Sequence, residues 1–281
     1  MQDSRAKGVP WGGWLIRCFR EALASIGSFV IKHGARVQYL AAVLGTTLLL
    51  SAQPRRWRRG VRAVFQRQFF FFGVESVRFI VILAVLVGIS VVVQLSVWTG
   101  KLGQSQQLGP LLVVVVAREL GPLFANFVLI VRGGSAIATE LGIMKVGGEL
   151  RVLEAQGVEP LLFLVMPRVL AMALAAFCLS VIFVFIAFAS GYGFSTFFGE
   201  GNMNARVFIT SALNAAHPFD TIGFLVKCLL PALVTGVICS TEGLGVEGGL
   251  TQVPQAVKRA LARSLFALFL MSTIVSVLAY S

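Results

Sequence analysis

Five apolar runs divide the sequence: Phe79–Trp98, Leu111–Val131, Val169–Phe188, Ile222–Thr241 and Leu261–Tyr280. About twenty such residues carry a helix across the hydrocarbon of a bilayer, so each run predicts one transmembrane helix. Between Trp14 and Val30 the pattern is different. Leu15, Cys18, Phe19, Ala22, Leu23, Ile26, Phe29 and Val30 recur at helical spacing while Arg17, Arg20, Glu21, Ser25 and Ser28 take the other face. That pattern predicts an amphipathic helix lying in the headgroup plane. Val37–Ala52 is apolar but short, with arginines beyond both ends, and reads as an interfacial or re-entrant elbow, with a true span as the alternative. Glu140–Gln156 is too polar for lipid. Its Ile143, Val146, Leu150 and Leu153 form a stripe beside the charged Lys145, Glu149 and Glu154. This predicts a short amphipathic helix between the second and third spans, capped by Gly157 and stopped by Pro160.

The second run is interrupted near its middle. Arg118 and Glu119 stand inside it, and such charges in a span cost about 3 kcal/mol or more unless they face a partner or a cavity. Gly121 and Pro122 follow at once. Pro122 has no N–H for the carbonyl of Arg118, so the helix is expected to kink beside the charges. Lys227 is the other ionisable residue within a span.

Composition agrees with the pattern. Hydrophobic residues make up 57% of the 281 and charged residues 13%, and mean hydropathy is +0.86. Soluble domains hold about 25% charged residues, so the chain is read as an integral membrane protein in one unit, with no second, soluble domain. The net charge of +12 does not point to nucleic acid, because thirteen of the 24 Lys and Arg lie in residues 1–78, before the first run. With a cytoplasmic N-terminus, twenty basic residues lie inside and only Lys101 and Arg206 outside. The bias of positive charge toward the cytoplasm then places the C-terminus outside and Glu140–Gln156 in the cytoplasm. The external segment Ala189–Thr221 is rich in Gly, Phe and Asn and is expected to cap a cavity.

Other chemistry is excluded. Cys18, Cys178, Cys228 and Cys239 have no metal or disulfide spacing, and His33 and His217 stand apart, so no metal site is expected. Gly100-Lys101 is followed by Leu102 and lacks the earlier glycine of a phosphate-binding loop. No nucleophile–base set emerges, so an enzyme is not expected. Gly245 and Gly249 have the spacing that lets helices approach closely, and a glycine-rich turn fits them equally well.

About fifty residues carry a specific resemblance. In order they include Arg118-Glu119-Leu120-Gly121-Pro122, Arg132-Gly133-Gly134-Ser135-Ala136, Glu140-Leu141-Gly142, Met144-Lys145-Val146, Gly157-Val158-Glu159-Pro160 and Pro167-Arg168-Val169-Leu170. This stretch resembles the MlaE-type permease family of ABC transporters, which move lipid between the two membranes of diderm bacteria. The resemblance implies an all-α polytopic inner-membrane protein with one permease domain over 1–281. Within it, 11–72 forms the interfacial or elbow region, and 73–281 the five-span core with a coupling helix at about 140–156. It implies a homodimer, ABC ATPase subunits below that bind ATP and Mg, and MCE-domain proteins on the periplasmic side. It implies no cofactor in this chain and no nucleic-acid partner. Lipid contacts fall on Arg118, Glu119 and Lys227. ATPase coupling falls on Glu140, Ile143, Met144, Lys145, Glu149, Leu150, Leu153 and Glu154, with the apolar stripe supplying the contact.

Two departures stand out. Gly147-Gly148-Glu149-Leu150-Arg151 replaces a run with better helix formers, and each interior glycine costs about 1 kcal/mol. Ser272 stands near where the family usually has Asp. Two other classes remain: a scaffold that anchors a partner complex without transporting, and an ion-coupled carrier using Glu119.

Overall fold

The computed structural model describes residues 34–35, 37–51, 53, 59–101, 113–197 and 218–280. The structure falls into two compact units, Met1–Val43 and Leu44–Ser281. In the first, the described residues 34–35 and 37–43 are helical, and the latter open a short apolar helix, α1 (Val37–Ser51). α1 is below crossing length, as the run Val37–Ala52 predicts. The amphipathic stretch Trp14–Val30, Arg55, Arg56, Arg58, Cys18, His33, His217 and most of the loop Ala189–Thr221 lie outside the described residues.

Five helices are long and apolar enough to cross a membrane: Arg59–Gln94, Val115–Val146, Leu161–Phe194, Thr221–Leu244 and Leu250–Ala279. They match the five apolar runs one for one, and no strand occurs among the described residues. The first lies in α2 (Arg59–Lys101), whose 43 residues extend about 65 Å, twice a bilayer's hydrocarbon. Its surplus is the arginine-bearing start. Arg59, Arg62 and Arg67 are exposed on its first turns, so the helix runs unbroken across the 72/73 division drawn from sequence.

The second crossing is assembled from pieces. A π-helical segment, Val113–Leu120, leads into α3 (Gly121–Leu129) with Pro122 in its first turn. A π-turn, Ile130–Gly134, leads into α4 (Ser135–Val146). The span was expected to stop at Arg132, yet the helix passes through it. Arg132 Nη1 donates to the Glu75 carbonyl at 2.8 Å, Nη2 is 3.7 Å from the Glu75 carboxylate, and the guanidinium lies 4.6 Å above the Phe79 ring. A cation so held has no need to end the helix.

The expected single helix Glu140–Gln156 is two. Its first half is the end of α4. Gly147 closes that helix, Gly148 takes φ +78°, and α5 (Glu149–Ala155) starts afresh. An L side chain is strained in that left-handed conformation, so the second glycine sets the break. At the far end of α5 the Val158 N–H reaches the Leu153 carbonyl at 3.0 Å and the Gly157 N–H that of Glu154 at 2.9 Å. This is the glycine cap read from Gly157. Pro160 then opens the next helix, a π-helical segment Leu161–Val165 running into α6 (Met166–Phe197). The fourth and fifth crossings are α7 (Pro218–Leu244), with Pro231 inside it, and α8 (Val253–Tyr280).

Small residues set the helix spacing. α2 and α6 run parallel, and a Cβ built on Gly88 would stand 2.5 Å from the Ala187 carbonyl. One on Gly133 would stand 2.9 Å from the Phe72 ring, which is 1% exposed, and one on Gly134 would meet Cys239 Sγ at 2.9 Å. The Arg132-Gly133-Gly134 motif is therefore a packing device. On α7 the close approach is made by Gly243, 2.8 Å from the Ala138 carbonyl, while Gly245 and Gly249 meet only local atoms of the α7–α8 turn. The turn reading of those two glycines holds and the helix-approach reading does not. Ser180 and Ser240, fully buried, donate to carbonyls of their own helices at 2.7 and 2.8 Å, which leaves neither hydroxyl unpaired in the bundle.

Gly88→Val should lower the thermal unfolding midpoint of the detergent-solubilised protein by an amount equivalent to about 1–3 kcal/mol. Gly73→Ala, with nothing within 4 Å of the new methyl, should leave it unchanged or raise it.

Candidate functional site

Two helix-breaking prolines create the site. Pro122 lies four residues after Arg118 and cannot donate to its carbonyl. Lys227 of α7 supplies the missing donor, its Nζ standing 3.1 Å from the Arg118 oxygen. Pro231 lies four residues after Lys227 and has no N–H for that carbonyl. Here Asn126 of α3 is the donor, its Nδ2 lying 3.4 Å from the Lys227 oxygen and 3.3 Å from that of Cys228. Each helix thus fills the gap that a proline opens in the other.

The Lys227 ammonium also meets Glu119, whose Oε1 accepts from Nζ. Ser276 of α8 approaches the same oxygen, its Oγ 2.9 Å away and 2.8 Å from the Ser272 carbonyl. The side chain of Lys227 is 2% exposed and that of Glu119 40%. The lysine is therefore locked in the bundle, while the carboxylate and the half-buried Arg118 border on whatever surrounds it. The sequence set Glu119 against its neighbour Arg118; the structure brings Lys227 to it from another helix. Lys227 thus meets the side chain of Glu119 and the backbone carbonyl of Arg118. Asn126 and Ser276 join them and were not anticipated, although the four-residue spacing of Lys227 to Pro231 and an asparagine within an apolar run were both readable.

A second polar layer lies along the bundle. Glu140 accepts from Arg168 Nη2 at 3.0 Å and from Gln68 Nε2 at 3.4 Å, and Arg168 Nη1 donates to the Leu164 carbonyl at 3.1 Å. Glu242 faces Arg263 and, at 4.0 Å, Arg259. With Glu75–Arg132, these groups tie the crossing helices at the end where α2 begins and α4 ends. From Arg132 back to Glu119, or from Glu242 back to Lys227, is about 20 Å of helix. The site was expected near mid-span. It lies instead toward the end opposite this layer, because the second crossing extends to Val146.

The profile of the MlaE permease family matches residues 65–278. The chain belongs to the MlaE permease family. The permease is 30% identical over 198 residues to a probable ABC transporter permease protein of Synechocystis, covering 70% of this chain and 74% of that one. It is 27% identical over 206 residues to the chloroplast protein TRIGALACTOSYLDIACYLGLYCEROL 1 of Arabidopsis thaliana, covering 73% of this chain, and it spans 58% of the length of that relative. To the intermembrane phospholipid transport system permease protein MlaE of Haemophilus influenzae it is 30% identical over 125 residues, 44% of this chain and 48% of that one. The permease is a multi-pass membrane protein.

The predicted coupling residues divide in the permease. Leu150 is 5% exposed, and Leu153 and Met144 pack half-buried on the same core. Val146 packs beside Val246, Val253 and Ala256. The apolar stripe was expected to supply the outside contact; Val146, Leu150 and Leu153 pack on the bundle, and Ile143 faces outward. Glu140 is half engaged by Arg168. The outward surface is Ile143, Lys145, Glu149, Arg151, Val152 and Glu154.

Leu150→Ala should cost about 2–5 kcal/mol in thermal or denaturant unfolding, whereas Glu154→Lys should stay within about 0.5 kcal/mol. At the membrane site, Glu119→Gln strands a buried ammonium and should destabilise more than Lys227→Met, whose orphaned carboxylate reaches the surface. The double variant should recover most of the loss in the same assay.

Proposed function

We propose that the chain is the membrane-spanning subunit of an ABC transporter that moves phospholipid between membranes. The observation that carries this reading is the half-open cluster of Arg118, Glu119 and Lys227 in a chain of the MlaE permease family. The printed names of the cyanobacterial and Haemophilus relatives, an ABC transporter permease and a phospholipid transport permease, support the two halves of it. Arg118 and Lys227 offer cations to a lipid phosphate, and Glu119 holds the lysine in place until a headgroup arrives. Charge-assisted contacts of this kind are roughly twice as strong as neutral hydrogen bonds.

ATP and Mg belong to a separate ATPase, which engages the outward face of α5 together with Lys145. Displacement of α5 reaches α4 through the buried Leu150 and reaches α6 through Glu140–Arg168. α4 is part of the same crossing helix as Glu119, so work done at its far end is carried along about 40 Å of helix to the cluster. Two copies of the chain enclose the lipid between them, and the exposed Phe266, Phe269, Ile274 and Val277 of α8 face the second copy. The chain resides in the inner membrane with its N-terminus cytoplasmic and its C-terminus periplasmic, where it hands lipid to an MCE-domain protein.

The test uses the transporter purified with its ATPase in mixed micelles. Phosphatidylglycerol should stimulate ATP hydrolysis, while diacylglycerol and inorganic phosphate should not. Arg118→Ala and Lys227→Met should each weaken stimulation about tenfold, the worth of one charged hydrogen bond. Unchanged stimulation and unchanged lipid transfer in both variants would remove the headgroup role. Transport by the purified chain alone in liposomes would replace the ABC reading with an ion-coupled carrier.

A further inference from the structure

We infer that Asn126 is a positioning residue for the Lys227 ammonium, acting through the backbone carbonyl that Pro231 leaves without its helical donor. The inference rests on the proposal that this ammonium meets a lipid phosphate. Lys227 is gripped at both ends by the second crossing helix. Its Nζ lies against the Arg118 carbonyl and the Glu119 carboxylate, and its own carbonyl lies against Asn126 Nδ2. Asn126 follows Glu119 by seven residues, two turns on, and so shares its face.

The amide is fully buried. Its Nδ2 also donates to the Pro122 carbonyl at 2.9 Å, so it bridges the two proline-disturbed turns. A lysine tip hangs on four freely rotating bonds, and its location is only as definite as the backbone from which it starts. In hydrocarbon the carbonyl of Lys227 has no water to take the place of Asn126. Without the amide the turn at 227–231 loses that tie and is free to shift its hydrogen-bonding register. The shift moves the root of the lysine relative to Glu119 and to an arriving headgroup. Asn126 touches no lipid itself. Its Oδ1 has no hydrogen-bond partner among the described residues, so the donating end of the amide is the part in use.

The experiment titrates phosphatidylglycerol in mixed micelles against ATP hydrolysis by the purified transporter. It compares the wild type with Asn126→Leu, Pro231→Ala, the double variant and Lys227→Met. Asn126→Leu should raise the half-saturating phosphatidylglycerol concentration about tenfold and change the maximal stimulated rate less than about twofold, the signature of lost binding rather than lost chemistry. Pro231→Ala returns an N–H to the Lys227 carbonyl, so the double variant should come back to within about threefold of the wild type. A residue that merely fills space would not be rescued by a change on another helix.

If Asn126→Leu leaves half-saturation unchanged while Lys227→Met raises it, the positioning role is overturned and the headgroup reading stands. If neither substitution moves it, both fall. A double variant as impaired as Asn126→Leu also overturns the inference, because the amide then acts on something other than the freed carbonyl. Should Asn126→Leu fail to assemble, the double variant is compared with Pro231→Ala alone: agreement within about threefold supports the inference, and a larger gap overturns it.

Discussion

A backbone carbonyl in hydrocarbon must find its donor within the protein, and this requirement explains why the second and fourth crossing helices meet as they do. Pro122 and Pro231 each remove one helical donor, and the two oxygens concerned belong to Arg118 and Lys227. Left alone, each is a defect that water would have to mend. Brought together, they become complementary, because the lysine beside one defect reaches the other and an asparagine reaches back. The ion pair with Glu119 is fixed by this exchange. A cation that completes a helix's own hydrogen bonding cannot swing away without breaking that helix.

The opposite end of the bundle is organised by arginine. Arg132, Arg168 and the pair Arg259 and Arg263 each meet a carboxylate on a different crossing segment. Arg168 adds a bond to a carbonyl of its own helix, and Arg132 adds a carbonyl of α2 and an aromatic face. The two ends are thus held by different means. One is a layer of guanidinium forks between helices; the other is a single lysine threaded into the backbone. Between them lie glycine-lined contacts that let α2 and α6 approach until main-chain atoms touch.

How much of this was legible depended on the length scale of each signal. Twenty-residue apolar runs are hard to mistake, and all five crossings came through, as did Gly157 as a helix cap. The extent of the second crossing did not. Arg132 looked like a boundary, and only a partner from α2 shows why it is not one. In the stripe Ile143, Val146, Leu150 and Leu153, the last three pack on the bundle and Ile143 faces outward. Periodicity says that a face must be buried, but not whether the covering surface belongs to the same molecule. Arg118, Glu119 and Lys227 were found because charge in a span is costly wherever it sits. Asn126 was passed over because an uncharged amide raises no such alarm, and Ser276 because a serine is common in such helices.

The left-handed residue at Gly148 governs how motion can pass through the chain. Helices that share an unbroken ladder rotate as one body, so torque applied to either is felt by both. Between α4 and α5 that ladder is interrupted, and the two segments are joined through a few soft dihedral angles and one leucine anchored in the core. Thrust along the contact is relayed and twist is absorbed. Such a joint passes thrust between α5 and α4 while the angle between them stays free to change.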